Sequence, residues 1–343
     1  MESPMKKITL LGIDIAKEVF QLHGVNKLSN AILKKKIYRS DLLKFIANLS
    51  PCTIAMEACG GAHYWARQFM KFGHTVKLIS PQFVKPFVKT NKNDAHDAQA
   101  ITEAASRPDM RFVPIKGVEQ QDIQCVHRIR ERLVGQRTAL VNQIRGLLAE
   151  YGIVIPVGVA QLKKRLFEIL CDSKNELTPI MRELCNELYD ELITLAKRIK
   201  EYDKRIENIY KSNPVCQKLA EVEGIGPLSA TMLATVLSDP TVFENGRHFA
   251  AFLGLVPKQH SSGGKQLLLG ISKRGDSYLR GLLIHGARAV LYRAKKKTDK
   301  RSSWLNQLNE RRGHNRTCVA LANKNARIVW ALVAKNERYK KAA

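Results

Sequence analysis

The chain has 343 residues, and its 57 Lys and Arg exceed its 31 Asp and Glu, which gives a formal net charge of +26. Hydrophobic residues make up 45% of the sequence, so the chain is able to bury proper cores and is not a disordered polycation. The positive charge is spread along the whole chain, which predicts an extended contact with a polyanion such as a nucleic acid. The alternative is a basic surface that serves solubility alone.

Cysteine usage and hydropathy indicate a reducing compartment. The seven cysteines are scattered, without a C-x-x-C pair or a zinc-like spacing with histidine. The N-terminal segment MESPMKKITLLGIDIAKEV has too short an apolar run for a signal peptide, and no later stretch approaches a membrane span without a charge. We therefore expect a protein of the reducing cytosol that has no membrane partner.

The first region, residues 1 to about 115, has the pattern of an α/β domain. The segments ITLLGIDIAK, VFQLHGV and AILKKKIYR are short, β-rich and closely connected, which predicts adjacent antiparallel strands. Helix-like stretches at 41–49 and 62–72 then lead to the apolar runs CTIAMEA and TVKLIS. Strands that alternate with helices are typical of parallel pairs, so we expect a mixed sheet.

Acidic residues recur at special places in this region. Asp14 lies in the apolar strand LLGIDIA, and Glu57 closes the apolar strand TIAME. Asp94 and Asp97 stand at i and i+3 near the start of a predicted helix, on one face. These carboxylates converge if the first and fourth strands are neighbours, and such oxygens suit Mg²⁺ or Mn²⁺. For any single acid helix capping is the simpler explanation, whereas the ordered set favours a metal site.

The middle region, residues 116–213, is predicted to form long helices. The stretch from Glu119 to Tyr151 has neither Pro nor a strand-like run and carries recurrent arginines. Apolar residues from Met181 to Ile209 are then spaced alternately by four and three, which is a sustained heptad seam. Such a seam can pair with the preceding helix of the same chain or with another subunit, and the sequence leaves both possibilities open.

A compact, mainly helical domain is expected over residues 214–334, followed by a basic tail at 335–343. Its segment VEGIGPLSA has a Gly-Ile-Gly turn before Pro227, which resembles a helix-hairpin-helix. Backbone N–H groups near Gly224 and Gly226 would then contact a DNA phosphate without sequence preference. The alternative is a tight packing turn between two helices.

Ser261 and Ser262 precede two glycines, a pattern that is ordinarily a flexible loop. Cationic residues crowd the same loop and the start of the next helix, and they are candidates for nucleic-acid contacts: Lys258, Lys265, Lys273, Arg274 and Arg280. A serine among cations is a plausible nucleophile for a phosphodiester, because the developing oxyanion charge is stabilised there.

Taken in order, these motifs resemble the DEDD transposases of bacterial insertion sequences, a family that includes the bridge-RNA-guided recombinases. The resemblance covers nearly the whole chain and rests on GIDIAK, AMEACGGAHYW, NKNDAHDAQAI, VEGIGPLSA, F-x-AFLGLVP, the SSGG loop and ISKRGDSYLRGLLIHGA. It implies an RNase H-like, Holliday-junction-resolvase-like N-terminal domain with the acidic tetrad Asp14, Glu57, Asp94 and Asp97. It also implies a coiled-coil region and a C-terminal transposase domain whose serine, at the position of Ser262, attacks DNA.

By the same resemblance, both domains act as one composite site that forms a covalent phosphoserine intermediate. The implied partners are target and donor DNA and a structured guide RNA encoded by the element, in the bacterial cytosol or nucleoid. Because two DNA ends must be held together, we also expect a homodimer or tetramer on nucleic acid.

Two other functions are compatible with the sequence. In a metal-dependent, structure-selective nuclease or junction resolvase, the tetrad would activate water and Ser262 would form no adduct with DNA. In a non-catalytic nucleic-acid-binding protein, the resolvase-like fold would be only a scaffold, and loss of all the carboxylates would be tolerated.

Overall fold

The computed structural model describes residues 7–88 and 94–340, without the side chains of Asp94 and Ala95. The chain divides into two compact units, Met1–Glu119 and Gln120–Ala343. Across the described residues, no helix is both long enough and apolar enough to span a membrane.

The first unit is an α/β layer structure. Its strands are β1 Leu10–Asp14, β2 Val19–Val25, β3 Ala31–Tyr38, β4 Thr53–Glu57, β5 Thr75–Ile79 and β6 Phe112–Val113. Its helices are α1 Arg39–Ala47, α2 Ala62–Lys71, α3 Pro81–Val84, which a 3-10 turn at Lys85–Phe87 follows, and α4 Asp94–Ala105.

The described strands form one mixed sheet in the order β3-β2-β1-β4-β5-β6. Strands β1, β2 and β3 are antiparallel neighbours, whereas β4 is parallel to both β1 and β5. The predicted mixed sheet is thereby confirmed, because closely connected strands can turn back on themselves while parallel strands need a helical crossover. The short antiparallel strand β6 was not predicted from the sequence.

The sheet is covered on both faces. One face packs against α1 and α2 in a core that includes Leu11, Ile13, Phe20, Phe69 and Trp65. The other face packs against α4 through Ala55, Ile79 and apolar residues of that helix. Burial on both sides explains why β1 and β4 are almost continuously apolar up to their last residues.

The second unit is mostly helical. Its helices are α5 Val118–Ala149, α6 Val159–Cys171, α7 Pro179–Ser212, α8 Pro214–Ala220, α9 Pro227–Val236, α10 Gly246–Phe252, α11 Ser277–Ala294, α12 Lys300–Arg312 and α13 His314–Ala334. A 3-10 turn lies at Pro240–Val242, and two strands, β7 Pro257–Ser262 and β8 Lys265–Ile271, form a hairpin.

The heptad seam of α7 is covered within the chain. Cys185, Leu192, Leu195 and Ile199 are buried in one core together with residues of α5 and α6. Arg130, near the start of α5, donates to Asp203, near the end of α7. The two long helices therefore run antiparallel. Of the two possibilities that the sequence left open, the structure shows the intrachain pairing.

Helices α8 to α13 surround a separate core, and the Gly-Ile-Gly turn packs directly on α11 within it. A Cβ atom on Gly286 would lie 1.9 Å from the Gly224 carbonyl oxygen, so only hydrogen fits between the two backbones. Gly224 also has a φ of +91°, a conformation that favours glycine.

Buried His127 joins α5 to the same core. The Thr231 hydroxyl donates to the Pro227 carbonyl, so His127 Nε2 donates to Thr231 Oγ1 at 2.9 Å. His127 Nδ1 then accepts from the Tyr278 hydroxyl at 3.0 Å. Burial is the largest cause of the lowered His127 pKa of about 4, and nearby Arg130 and Arg128 add to it. The neutral ring therefore bridges α5, α9 and α11.

Candidate active site

Asp14 and Glu57 lie next to each other at one edge of the sheet. Ile13 of β1 pairs with Met56 of β4 in parallel register, and Asp14 and Glu57 are the residues that follow this pair. The preceding residues of both strands are buried, whereas the two acids are half-buried. The strand ends therefore bring the two carboxylates to one side of the core at the carboxyl edge.

Helix α4 brings Asp97 toward the same edge. A Cβ atom on Gly12 would lie 2.1 Å from Thr102 Oγ1 and 2.5 Å from the Ala98 carbonyl oxygen, so α4 rests directly on β1. Leu10, earlier in β1, packs on the cluster that contains the last residues of α4. The helix therefore runs antiparallel to β1, and its first turn faces the end of the strand that carries Asp14. Asp94 begins this helix, but its side chain is outside the described residues.

The negative charges of Glu57 and Asp14 both influence the thiol of Cys59, so the two carboxylates lie near the same point. Burial raises the pKa of the Cys59 thiol first, and the negative charges of Glu57 and then Asp14 raise it further. Cys59 follows β4 by two residues and is exposed. The sequence alone gave no reason to associate this cysteine with the acids, because the contact depends on the turn after β4.

The donor set suits a hard divalent cation, since carboxylate oxygens are what Mg²⁺ and Mn²⁺ prefer. Asp14 and Glu57 would be the strand-borne ligands, with α4 supplying the others. Among residues 7–88 and 94–340, no group of three or more His, Cys, Asp or Glu side chains is close enough to hold a metal ion. The structure thus brings Asp14 and Glu57 together, with the start of α4 directed toward them.

Ser262 lies on the β7–β8 hairpin. It pairs with Lys265 across a two-residue turn in which Gly263 and Gly264 have φ values of +57° and +77°. Such values are required by the tight turns that match the twist of a hairpin. The SSGG segment is therefore an ordered hairpin turn and not the flexible loop that its composition suggests. Two consecutive glycines are compatible with either structure, so the composition alone does not distinguish them.

The hairpin is exposed along nearly its whole length, including Ser261, Ser262, Lys258 and Lys265. Gln259 Nε2 donates to Ser261 Oγ at 2.8 Å, so the two serines differ in their local bonding. These two strands were not predicted from the sequence, because neither shows the apolar alternation of a half-buried strand.

The cationic loop after β8 is bound to the turn before β7. Ser272 N–H donates to the Val256 carbonyl at 2.8 Å, and Lys273 N–H donates to the Gly254 carbonyl at 3.2 Å. Lys273 and Arg274 are exposed. Arg280 is only 9% exposed and donates to the carbonyls of Leu253 and Arg274. Arg280 therefore stabilises the loop from within. The sequence predicted that it would contact a phosphate, but little of its side chain is exposed for such a contact.

The Gly-Ile-Gly turn combines packing and exposure. Gly224 packs directly against Gly286, in agreement with the alternative interpretation of this segment as a tight packing turn. Gly226 precedes α9, where Pro227 is the first helical residue, and a Cβ atom there would meet open space. Only the Gly226 side of the turn therefore presents free space beside a helix N-terminus.

Comparison with known proteins finds two family models that match separate parts of the chain. A family model of the DEDD transposases of the IS110 group matches residues 11–153, and a model described as "Transposase IS116/IS110/IS902 family" matches residues 216–303. A probable family 20 transposase of Pseudomonas aeruginosa is 51% identical over 97% of this chain and 99% of its own length. The chain belongs to the DEDD transposases of the IS110 family. As a transposase of this family, it is an enzyme that cleaves and transfers DNA strands.

Two further relatives are similar to this transposase over almost all of its length. The transposase for insertion sequence element IS1111A of Coxiella burnetii is 51% identical over 98% of this chain and 92% of the relative. The transposase for element IS1328 of Yersinia enterocolitica is 42% identical over 98% of this chain and 100% of the relative. Both the acidic edge and the serine hairpin of the transposase lie within the matched regions.

Proposed function

We propose that this transposase cuts and rejoins DNA with a divalent metal site built from Asp14, Glu57, Asp94 and Asp97 and with Ser262 as nucleophile. The observation that carries the proposal is the adjacency of Asp14 and Glu57 at the carboxyl edge of the mixed sheet, with the first turn of α4 directed toward them. In this arrangement residues 1–115 act as the resolvase-like domain, residues 116–213 as the helical connector and residues 214–334 as the serine-bearing domain.

In this proposal, different groups of the chain have different roles in the reaction. When bound, Mg²⁺ or Mn²⁺ would stabilise negative charge on the oxygens of the phosphodiester. Ser262 Oγ would attack the phosphorus, lose its proton and form an O–P bond, while the bond to the leaving deoxyribose oxygen breaks and that oxygen takes up a proton. Exposed Lys258 and Lys265 on the hairpin would balance charge on the attacked phosphate. Attack by a hydroxyl of the second DNA strand would then release the serine.

An element-encoded guide RNA would select the DNA target by base pairing, while the protein reads backbone and shape. This part rests on the family resemblance, and the net charge of +26 agrees with any nucleic acid. Because the α7 seam is occupied within the chain, a homodimer or tetramer on nucleic acid would use other surfaces. Recombination by RNA-free protein at a single DNA site, with no dependence on RNA from the flanking sequence, would contradict the guided mechanism.

The acidic site is tested by the variants Asp14→Asn and Glu57→Gln, which keep side-chain size and remove charge. We expect strand cleavage of an element-end oligonucleotide in Mg²⁺ to fall at least about a thousandfold, because the metal loses an anionic ligand. Affinity for the same DNA should change little. Asp109→Asn, an exposed acid of the same unit, is the matched control. Normal cleavage by either site variant would overturn the metal site.

A further inference from the structure

A cross-strand row connects the acidic edge to the free edge of the sheet. Asp14 of β1 pairs with Gln21 of β2, and Gln21 pairs with Lys36 of β3. Residues that are directly opposite one another in neighbouring strands project from the same face. Asp14, Gln21, Lys36 and, two residues further on, Tyr38 therefore share one face at one end of the sheet.

Helix α4 covers the preceding row, whereas the row that contains Asp14 is more exposed. Gly12 pairs with His23, and both are buried under α4, where Thr102 Oγ1 donates to the His23 carbonyl at 3.2 Å. In the next row Gln21 is half-buried and Lys36 is exposed. Two strand spacings separate Asp14 from Lys36, which is about 10 Å. A DNA strand bound at the acidic edge would thus pass over Gln21 to reach β3.

A surface pocket of about 350 Å³ lies beside β3 on the side of α1, around the edge strand from the row that contains Asp14. Its lining combines cations and aromatic rings, namely Lys35, Lys36, Lys44, Tyr38 and Phe45, together with Asn48 and Asp41. Tyr38 is 61% exposed, and the Lys35 ammonium lies 5.0 Å from the centre of the Phe45 ring. An exposed aromatic ring beside lysines suits single-stranded nucleic acid, since the cations meet phosphates and the ring stacks on a base.

Protection of the free sheet edge explains part of this surface. Consecutive lysines on an edge strand prevent pairing with other chains, and Lys34, Lys35 and Lys36 fit that role. Edge protection does not require a large aromatic side chain such as Tyr38 to stand in solvent beside a pocket. It also gives no reason for Lys36 to share a row with Asp14.

We propose that Lys36 and Tyr38 bind the single-stranded DNA that flanks the scissile phosphate. The inference rests on the proposed function of the acidic edge, where a divalent cation held by the carboxylates would bind that phosphate. Tyr38 stacks on a base one or two nucleotides away, and Lys36 meets the intervening phosphate. Both are positioning residues, because neither reaches the reacting atoms.

The first experiment measures the affinity of the full-length protein for a short labelled oligo(dT) in EDTA, by fluorescence anisotropy. We expect Tyr38→Ala and Lys36→Gln each to weaken binding, with at least about a tenfold loss for Tyr38→Ala. Tyr38→Phe keeps the ring and should bind like the wild type. Lys27→Gln removes an exposed charge in the β2–β3 turn at the opposite end of the strand and is the matched control. Wild-type affinity in Tyr38→Ala would overturn the proposal, as would an equal loss in Tyr38→Phe.

The second experiment locates the contact by replacing Tyr38 with a photo-crosslinking amino acid on a cleavable element-end DNA. Crosslinks within about two nucleotides of the cleavage position are expected from the strand spacing. Crosslinks elsewhere, or to RNA alone, would overturn the proposal. The acidic site is tested separately, because Asp14→Asn should abolish cleavage and leave oligo(dT) binding unchanged. In contrast, Tyr38→Ala should raise KM with kcat largely retained.

Discussion

The acidic edge and the serine hairpin are held in place by different means. Asp14 and Glu57 end strands whose preceding residues are buried, and α4 rests so closely on β1 that Gly12 has no room for a methyl group. Ser262 ends a strand that is exposed throughout, and its position depends on the two-glycine turn and on bonds at the base of the hairpin. The strand ends that carry the acids are thus fixed by the packed core, whereas the serine lies on a hairpin that projects from its core and is fixed only at its base.

The largest expected effect is on Ser262, the proposed nucleophile on the β7–β8 hairpin. Ser262→Ala should abolish the covalent protein–DNA adduct on denaturing gels and lower strand transfer at least about a thousandfold, because the proposed mechanism forms the adduct through Ser262 Oγ. Ser261→Ala, the neighbouring control, should only weaken both. If Ser261→Ala had the greater effect, the nucleophile would be assigned one residue earlier. Unchanged strand transfer in both variants would instead favour a resolvase that uses metal-activated water.

A matched pair of strand glycines tests the difference in packing. Gly12→Ala in β1 forces a methyl group against Thr102 Oγ1 and the Ala98 carbonyl, so the free energy of unfolding should fall by about 3 kcal/mol or more. Gly270→Ala in β8 places the same methyl group in open space and should change stability by less than about 1 kcal/mol. Chemical denaturation measures both.

Gly12→Ala should also reduce cleavage, because displacement of α4 moves Asp97 away from the strand-end acids. Equal stability of the two glycine variants would remove the contrast between a packed edge and a projecting hairpin.

The smallest expected effect concerns pH and the support of the hairpin domain. Burial, Arg130 and Arg128 lower the pKa of His127 to about 4 in the folded chain, against 6.5 in the unfolded chain, while Asp276 opposes the shift. Between these values the unfolded chain binds more protons, so stability falls as pH decreases from 6.5 toward 4. At most about 3 kcal/mol is lost, since each pKa unit corresponds to about 1.4 kcal/mol.

His127→Phe keeps a ring between α5, α9 and α11 and cannot titrate. Its stability should therefore be lower than that of the wild type at pH 7 but should vary less between pH 6.5 and 4. The measurement is urea denaturation of both proteins across this range. A pH dependence identical to that of the wild type would show that His127 does not contribute to it.

The sequence by itself determined the elements whose signals are local. Apolar runs ending in Asp14 and Glu57, the i, i+3 aspartates and the heptad seam are readable because strand and helix periodicities act over a few residues. The mixed sheet and the mostly helical remainder followed from these patterns, whereas the transposase family followed from the resemblance of the ordered motifs to a known family. The β7–β8 hairpin was not predicted, because the strands of an exposed hairpin need no alternation of apolar and polar residues.

Only the tertiary structure decided how distant segments meet. It covered the α7 seam with helices of the same chain, turned Arg280 inward to two carbonyls and placed Gly224 against Gly286. It also aligned Asp14, Gln21 and Lys36 in one row. A one-residue change of register would send these side chains to the other face, and register is fixed by packing between segments remote in the chain.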